Sequence, residues 1–73
     1  MLYCQGMRTF GENLKRERKL SGLTQQELAD KIGIKQQQLS QWESNKFEPT
    51  VSSIVALAKA LDVSFDDLFD GIE

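Results

Sequence analysis

Histidine is absent from this sequence, cysteine occurs once, as Cys4, and proline once, as Pro49. A single thiol excludes an intramolecular disulfide. Without His and with one Cys, ordinary zinc sites and Cys/His or Ser/His catalysis lack their ligands and bases. No metal, no cofactor and no enzymatic activity are therefore expected. Cys4 reads as an incidental thiol, because no basic cluster is visible to activate it. Long apolar runs are missing as well, so nothing here can span a bilayer as a helix. The opening Met1–Met7 lacks the basic region and long apolar stretch of a signal peptide. A cytoplasmic location with no membrane partner is the expectation.

What is present fits one small domain. The 73 residues carry a formal net charge of −2, which by itself argues mildly against nucleic acid. The charge is unevenly spread. From Arg8 to Lys46 eight Lys/Arg stand against five Asp/Glu, a net +3. From Phe47 to Glu73 one Lys stands against six acids, a net −5. One face can be basic while another is acidic, although an ordinary solvated surface gives the same count. The expected organisation is a loose tail over 1–7, one domain over 8–70 and a short C-terminal end over 71–73. Met7 is an alternative start. No repeat or interdomain linker is present, and no separate ligand or oligomerisation domain is expected to follow the last helix.

Helix punctuation recurs along the chain. Thr9-Phe10-Gly11-Glu12 is a capping box, in which the Thr side chain accepts from a free backbone N–H and Glu12 reaches back. That helix should run to about Leu20 and stop at Ser21-Gly22, with Gly22 left-handed. Thr24-Gln25-Gln26-Glu27 opens a second helix, whose inner face is Leu28, Ala29 and Ile32 and whose end is Gly33. A third begins at Lys35 or Gln36, carries Leu39 and Trp42 inward, and ends near Ser44-Asn45. After Pro49, Thr50 caps a fourth helix with Val51, Ile54, Leu57, Ala58 and Leu61 as its apolar set. Ser64-Phe65-Asp66-Asp67 is a weaker box for a short fifth helix ending by Gly71. The expected class is all-α, a compact bundle of five helices.

The second and third helices are separated only by Gly33-Ile34-Lys35. So short a turn sets them at a large angle and exposes one face of the later helix. Gln37, Ser40, Gln41 and Ser44 share that face, and Gln36 sits at its tip. The face is amide and hydroxyl throughout. A Gln amide holds one donor and one acceptor, which matches the N6/N7 edge of adenine in the major groove. A plain solvent face has the same periodicity. Two charges occupy inner faces: Arg18 follows Phe10 and Leu14 in one row, and Glu43 follows Leu39 in another. An unpaired buried charge is very costly, so a bidentate Arg18–Glu43 pair is the simplest resolution. The alternative is that both snorkel to a wet edge.

Three blocks resemble the lambda-repressor-like, Xre-type helix-turn-helix family. They are Gly22-Leu23-Thr24-Gln25-Gln26-Glu27-Leu28-Ala29-Asp30-Lys31-Ile32-Gly33-Ile34, then Leu39-Ser40-Gln41-Trp42-Glu43-Ser44-Asn45-Lys46 with Pro49, then Leu57-Ala58-Lys59-Ala60-Leu61-Asp62-Val63-Ser64 with Asp67-Leu68. The resemblance covers about residues 8–69. It implies a five-helix bundle whose third helix enters the major groove. It implies base contacts from Gln36, Gln37 and Gln41, with Lys35 and Ser40 nearby. It implies phosphate contacts from Gln25 and from the Ser44-Asn45-Lys46 loop, and pairing of Arg18 with Glu43. The sequence departs from the family at Lys35, where Ser or Thr often caps the helix, and at Asn45, which replaces a common Gly.

The expected partner is therefore double-stranded DNA, with a palindromic operator read by a homodimer. Phe65, Phe69 and Ile72, with Val55, are more apolar than a short terminal helix needs and are the candidate dimer interface. A plain core role is the other reading. A DNA-binding antitoxin that also grips a toxin protein, or an interaction bundle without DNA binding, would share these features.

Overall fold

The computed structural model describes residues 9–70. Its helices are α1 Phe10–Leu20, α2 Gln25–Ile32, α3 Gln36–Glu43, α4 Val51–Leu61 and α5 Phe65–Leu68, with no strand among the described residues. Met1 to Arg8, and Gly71 to Glu73, lie outside those residues.

The caps explain the starts. Thr9 Oγ1 accepts from the Glu12 amide at 3.1 Å while Thr9 N–H donates to Glu12 Oε1 at 3.0 Å. Thr24 and Glu27 repeat the exchange at 3.1 and 2.8 Å. Thr50 accepts from Ser53 N–H at 3.2 Å. The Ser64–Asp67 box is complete, with both bonds at 3.2 Å. Each such cap contributes about 1 kcal/mol. Gly22 and Gly33 end α1 and α2 with φ of 75° and 76°. Asn45 at φ 65° and Asp62 at φ 58° are left-handed as well. Short polar side chains tolerate that region better than most.

Leu14, Leu28, Leu39, Leu57 and Leu68 are fully buried, with Ala29, Trp42, Ala58 and Leu61 beside them. Each buried leucine contributes about 1.5–3 kcal/mol relative to exposure. α1 packs on α3 and α5, α2 on α3 and α4, and α4 on α5. Val51 departs from the expected inner face. It is 74% exposed, because the first residue of α4 projects past the core.

α1 and α3 approach closely end to side. A Cβ on Gly11 would lie 2.5 Å from the Glu43 carbonyl oxygen and 2.6 Å from that of Trp42. Only glycine fits there. Gly11 N–H donates to Asn45 Oδ1 at 3.1 Å, and Asn45 Nδ2 donates to Thr9 Oγ1 at 2.8 Å. The start of α1 is thereby clamped to the loop that follows α3. Two residues on, the buried Asn13 donates through Nδ2 to the carbonyls of Leu68 and Asp70, at 2.9 and 2.8 Å.

Candidate nucleic-acid interface

Gly33 turns the chain so that α3 leaves α2 after only three residues. Leu39 and Trp42 anchor α3 inward, which leaves Gln37, Gln38 and Ser44 exposed and Ser40 and Gln41 half-buried. The sole acid of α3, Glu43, is buried at 7% exposure. No carboxylate on α3 faces outward to repel a polyanion. Lys35, the N-cap, makes no side-chain cap bond, so the helix start keeps free N–H groups beside an exposed ammonium. That combination favours an anion.

The buried charges meet. Arg18 Nε donates to Glu43 Oε2 at 2.6 Å and Arg18 Nη2 to Oε1 at 3.2 Å. Arg18 Nη1 donates to the Leu23 carbonyl at 2.8 Å. The guanidinium thus joins α1, α3 and the loop before α2. Glu43 Oε1 accepts a further bond from Gln25 Nε2 at 2.9 Å. Gln25 Oε1 in turn accepts from Gln36 Nε2 at 2.6 Å. The tip of α3 and the start of α2 are linked through side-chain amides to a buried ion pair.

Two clefts border this surface. One, of about 320 Å³, is lined by Lys35, Gln37, Gln38 and Gln41. The other, of about 610 Å³, is lined by Arg18, Lys19, Gly22, Leu23, Thr24, Gln25, Gln26 and Gln36. Gln38 and Lys19 were not among the sequence candidates. Gln38 lies one turn before Gln41, a spacing that was available to find it. Lys19 lies near the end of α1, and only packing brings it beside α2.

The loop after α3 is divided. Lys46 is exposed. Ser44 is exposed, with its hydroxyl donating to the Gln41 carbonyl at 3.2 Å. Asn45, expected on the phosphate side, turns its amide inward to Thr9 and Gly11. A phosphate could recruit that side chain only by breaking the clamp on α1.

The dimer candidates lie on α4 and around α5. Phe65 and Phe69 are 47% and 42% exposed, and Val55 is half-buried. Ile72 lies outside the described residues. The Phe69 ring packs tilted on Phe10, with centroids 5.4 Å apart. Phe69 therefore serves the core in part. Phe10, Trp42, Phe47, Pro49, Ile54 and Phe69 line a groove of about 300 Å³ together with Asn45 and Glu48. Phe47, 56% exposed, extends the apolar surface beyond the residues expected.

The family model for "Helix-turn-helix" matches residues 14–68. The chain belongs to the helix-turn-helix family. Curated relatives include the uncharacterized HTH-type transcriptional regulator YqaE of Bacillus subtilis, 42% identical over 85% of this chain and 53% of the relative. The chain spans about half the length of several curated relatives it matches. Among solved structures, the P22 c2 repressor protein in complex with a synthetic operator matches with a TM-score of 0.81 and 34% identity, covering 89% of this chain and 98% of that one. The restriction-modification controller protein C.AhdI from Aeromonas hydrophila matches at 0.78 and 32%, covering 82% and 91%. These likenesses agree with the lambda-repressor-like bundle in its full length of five helices. No helix among the described residues is long and apolar enough to cross a membrane.

Proposed function

We propose that this chain is a sequence-specific regulator of transcription that binds double-stranded DNA, reading the major groove with α3. The observation that carries this is the outward face of α3. It is amide and hydroxyl only, its single acid is buried against Arg18, and Lys19 and Lys35 flank it. Gln36, Gln37 and Gln41, with Ser40 and Lys35, are the base-reading group. Gln25, Ser44 and Lys46, joined by Lys19, hold the phosphates and set register. Asn45 contributes by shaping the loop. The operator-bound relative supports this reading.

A dimer doubles the few contacts that one module makes. Two copies place their third helices in successive major grooves, about 10–10.5 bp apart or a multiple of that, on a palindromic site. The exposed Phe65 and Phe69, with Val55 and Ile72, supply the apolar surface for the second copy, in the cytoplasm where the DNA is. The same aromatic surface supports a second reading, in which it grips a different protein, as in an antitoxin.

Selection of binding sites from random duplexes at two salt concentrations tests the proposal. A palindromic, adenine-containing motif is expected at both. Retention of duplexes without any common motif, vanishing at the higher salt, would leave only non-specific electrostatics. Co-purification of an unrelated polypeptide with no DNA selection would favour the interaction reading.

A further inference from the structure

We propose that the aromatic groove between α1, the loop after α3 and the end of α5 binds a small organic cation, a protonated amine or quaternary ammonium on an apolar body. Four rings line the groove, those of Phe10, Trp42, Phe47 and Phe69. A ring face attracts a cation through its quadrupole, out to about 6 Å from the centroid. It offers no such attraction to an anion. Phe47 and Phe69 are 56% and 42% exposed, so a ligand can reach them, while Trp42, at 4%, backs the groove from the core.

The polar lining selects the same charge. Glu48 is its sole charged member, and no lysine or arginine is among the described lining residues. Glu48 is exposed and forms no ion pair among the described residues. Asn45 turns its amide to Thr9 and Gly11. An acid without a cation thus borders an apolar groove, ready for an ammonium whose body the rings cover. The surrounding surface pulls the same way. Asp66, Asp67 and Asp70 are exposed close to Phe69 in the chain, and Phe47 to Glu73 carry a net −5. Such a field raises the local concentration of cations. At about 300 Å³ the groove stands at the small end of ligand sites, which run from about 300 to 1,000 Å³. One ring with a short ammonium arm suits that space, whereas a helix, about 10 Å across, is too large to be seated in it. None of these residues belongs to the base-reading or phosphate-holding group, so the inference and the DNA reading stand or fall separately.

The test is an NMR titration of the full chain with phenethylammonium, phenethyl alcohol and phenylacetate, which share a ring and differ in charge. The cation should give saturable shifts at Phe47, Glu48 and Phe69, and bind about tenfold more tightly than the alcohol. Phenylacetate should bind more weakly than either. Glu48→Gln and Phe47→Leu alter exposed side chains, and each should cut the advantage of the cation about threefold. Asp66→Asn, which removes an acid outside the groove, should leave that advantage unchanged. Absence of saturable shifts overturns the inference, and so do equal affinities for the three probes, which would mean a plain apolar patch. An equal drop in Asp66→Asn overturns it too, by reducing the preference to general surface charge. Shifts at the groove that follow protein concentration without any probe, and block the cation, would give the groove to a second copy and overturn it as well.

Discussion

The outward side of α3 carries Gln37, Gln38 and Ser44, all polar and uncharged. The surface along α4 and α5 carries exposed Val51, Phe65 and Phe69 among the carboxylates of Asp62, Asp66, Asp67 and Asp70. The first surface is at ease in water and needs a partner only for information. The second exposes apolar area that water penalises, bordered by charge that repels DNA. A bundle this small buries a limited core and has little to spare for exposed aromatics. Under the proposed function the two sides suit different partners: a polyanion on one, protein on the other.

The largest effect should come from the pair behind the polar side. Glu43→Ala strands the buried Arg18 and removes the acceptor of Gln25, so unfolding stability should drop by about 3–5 kcal/mol. Urea denaturation measures this. Arg18→Met combined with Glu43→Leu should lose far less, because no unpaired charge remains. Equal losses for the single and double variants would mean that packing, not charge, is at stake.

Gln37→Ala should leave folding unchanged and reduce discrimination at one base pair by about 1–3 kcal/mol. Competition between the selected site and random duplex reads this directly. Equal losses on both DNAs would contradict direct readout.

On the other side, Phe65→Ser should raise the dimer dissociation constant about tenfold, as loss of an interface aromatic does. The unfolding free energy should change by no more than about 0.5 kcal/mol, since Phe65 is half exposed and outside the buried core. Sedimentation equilibrium decides it. A variant that associates like the wild type would remove Phe65 from the interface.

Lys46→Ala should have the smallest effect on specificity. It weakens all sequences alike and lowers the salt slope by about one. Titrations at several salt concentrations check it, and a sequence-dependent loss would move Lys46 into the base-reading group.

Much of this was legible along the chain because it is local. Thr9, Thr24, Thr50 and Ser64 each announce a helix within three residues, and Gly22 and Gly33 each announce a stop. The buried leucines follow from helical periodicity. The Arg18–Glu43 pair was legible for another reason: an isolated charge in an apolar row is too costly to leave alone. Asn13 and Asn45 gave no such signal. Each is a small polar residue that suits a surface or turn equally well, and their partners lie 55 to 57 and 34 to 36 residues away.

By itself the sequence determined where helices begin and end, which stripe of each is apolar, and that α3 shows an uncharged face after a tight turn. These are properties of residues a few positions apart, governed by caps, glycine and helical repeat. Tertiary structure alone decided that Gly11 lies against the α3 carbonyls, that Asn45 clamps α1, and that Gln25 bridges Glu43 and Gln36. Such contacts join side chains from different helices, and hydrogen-bond direction exists only once donors and acceptors have been brought within about 3 Å.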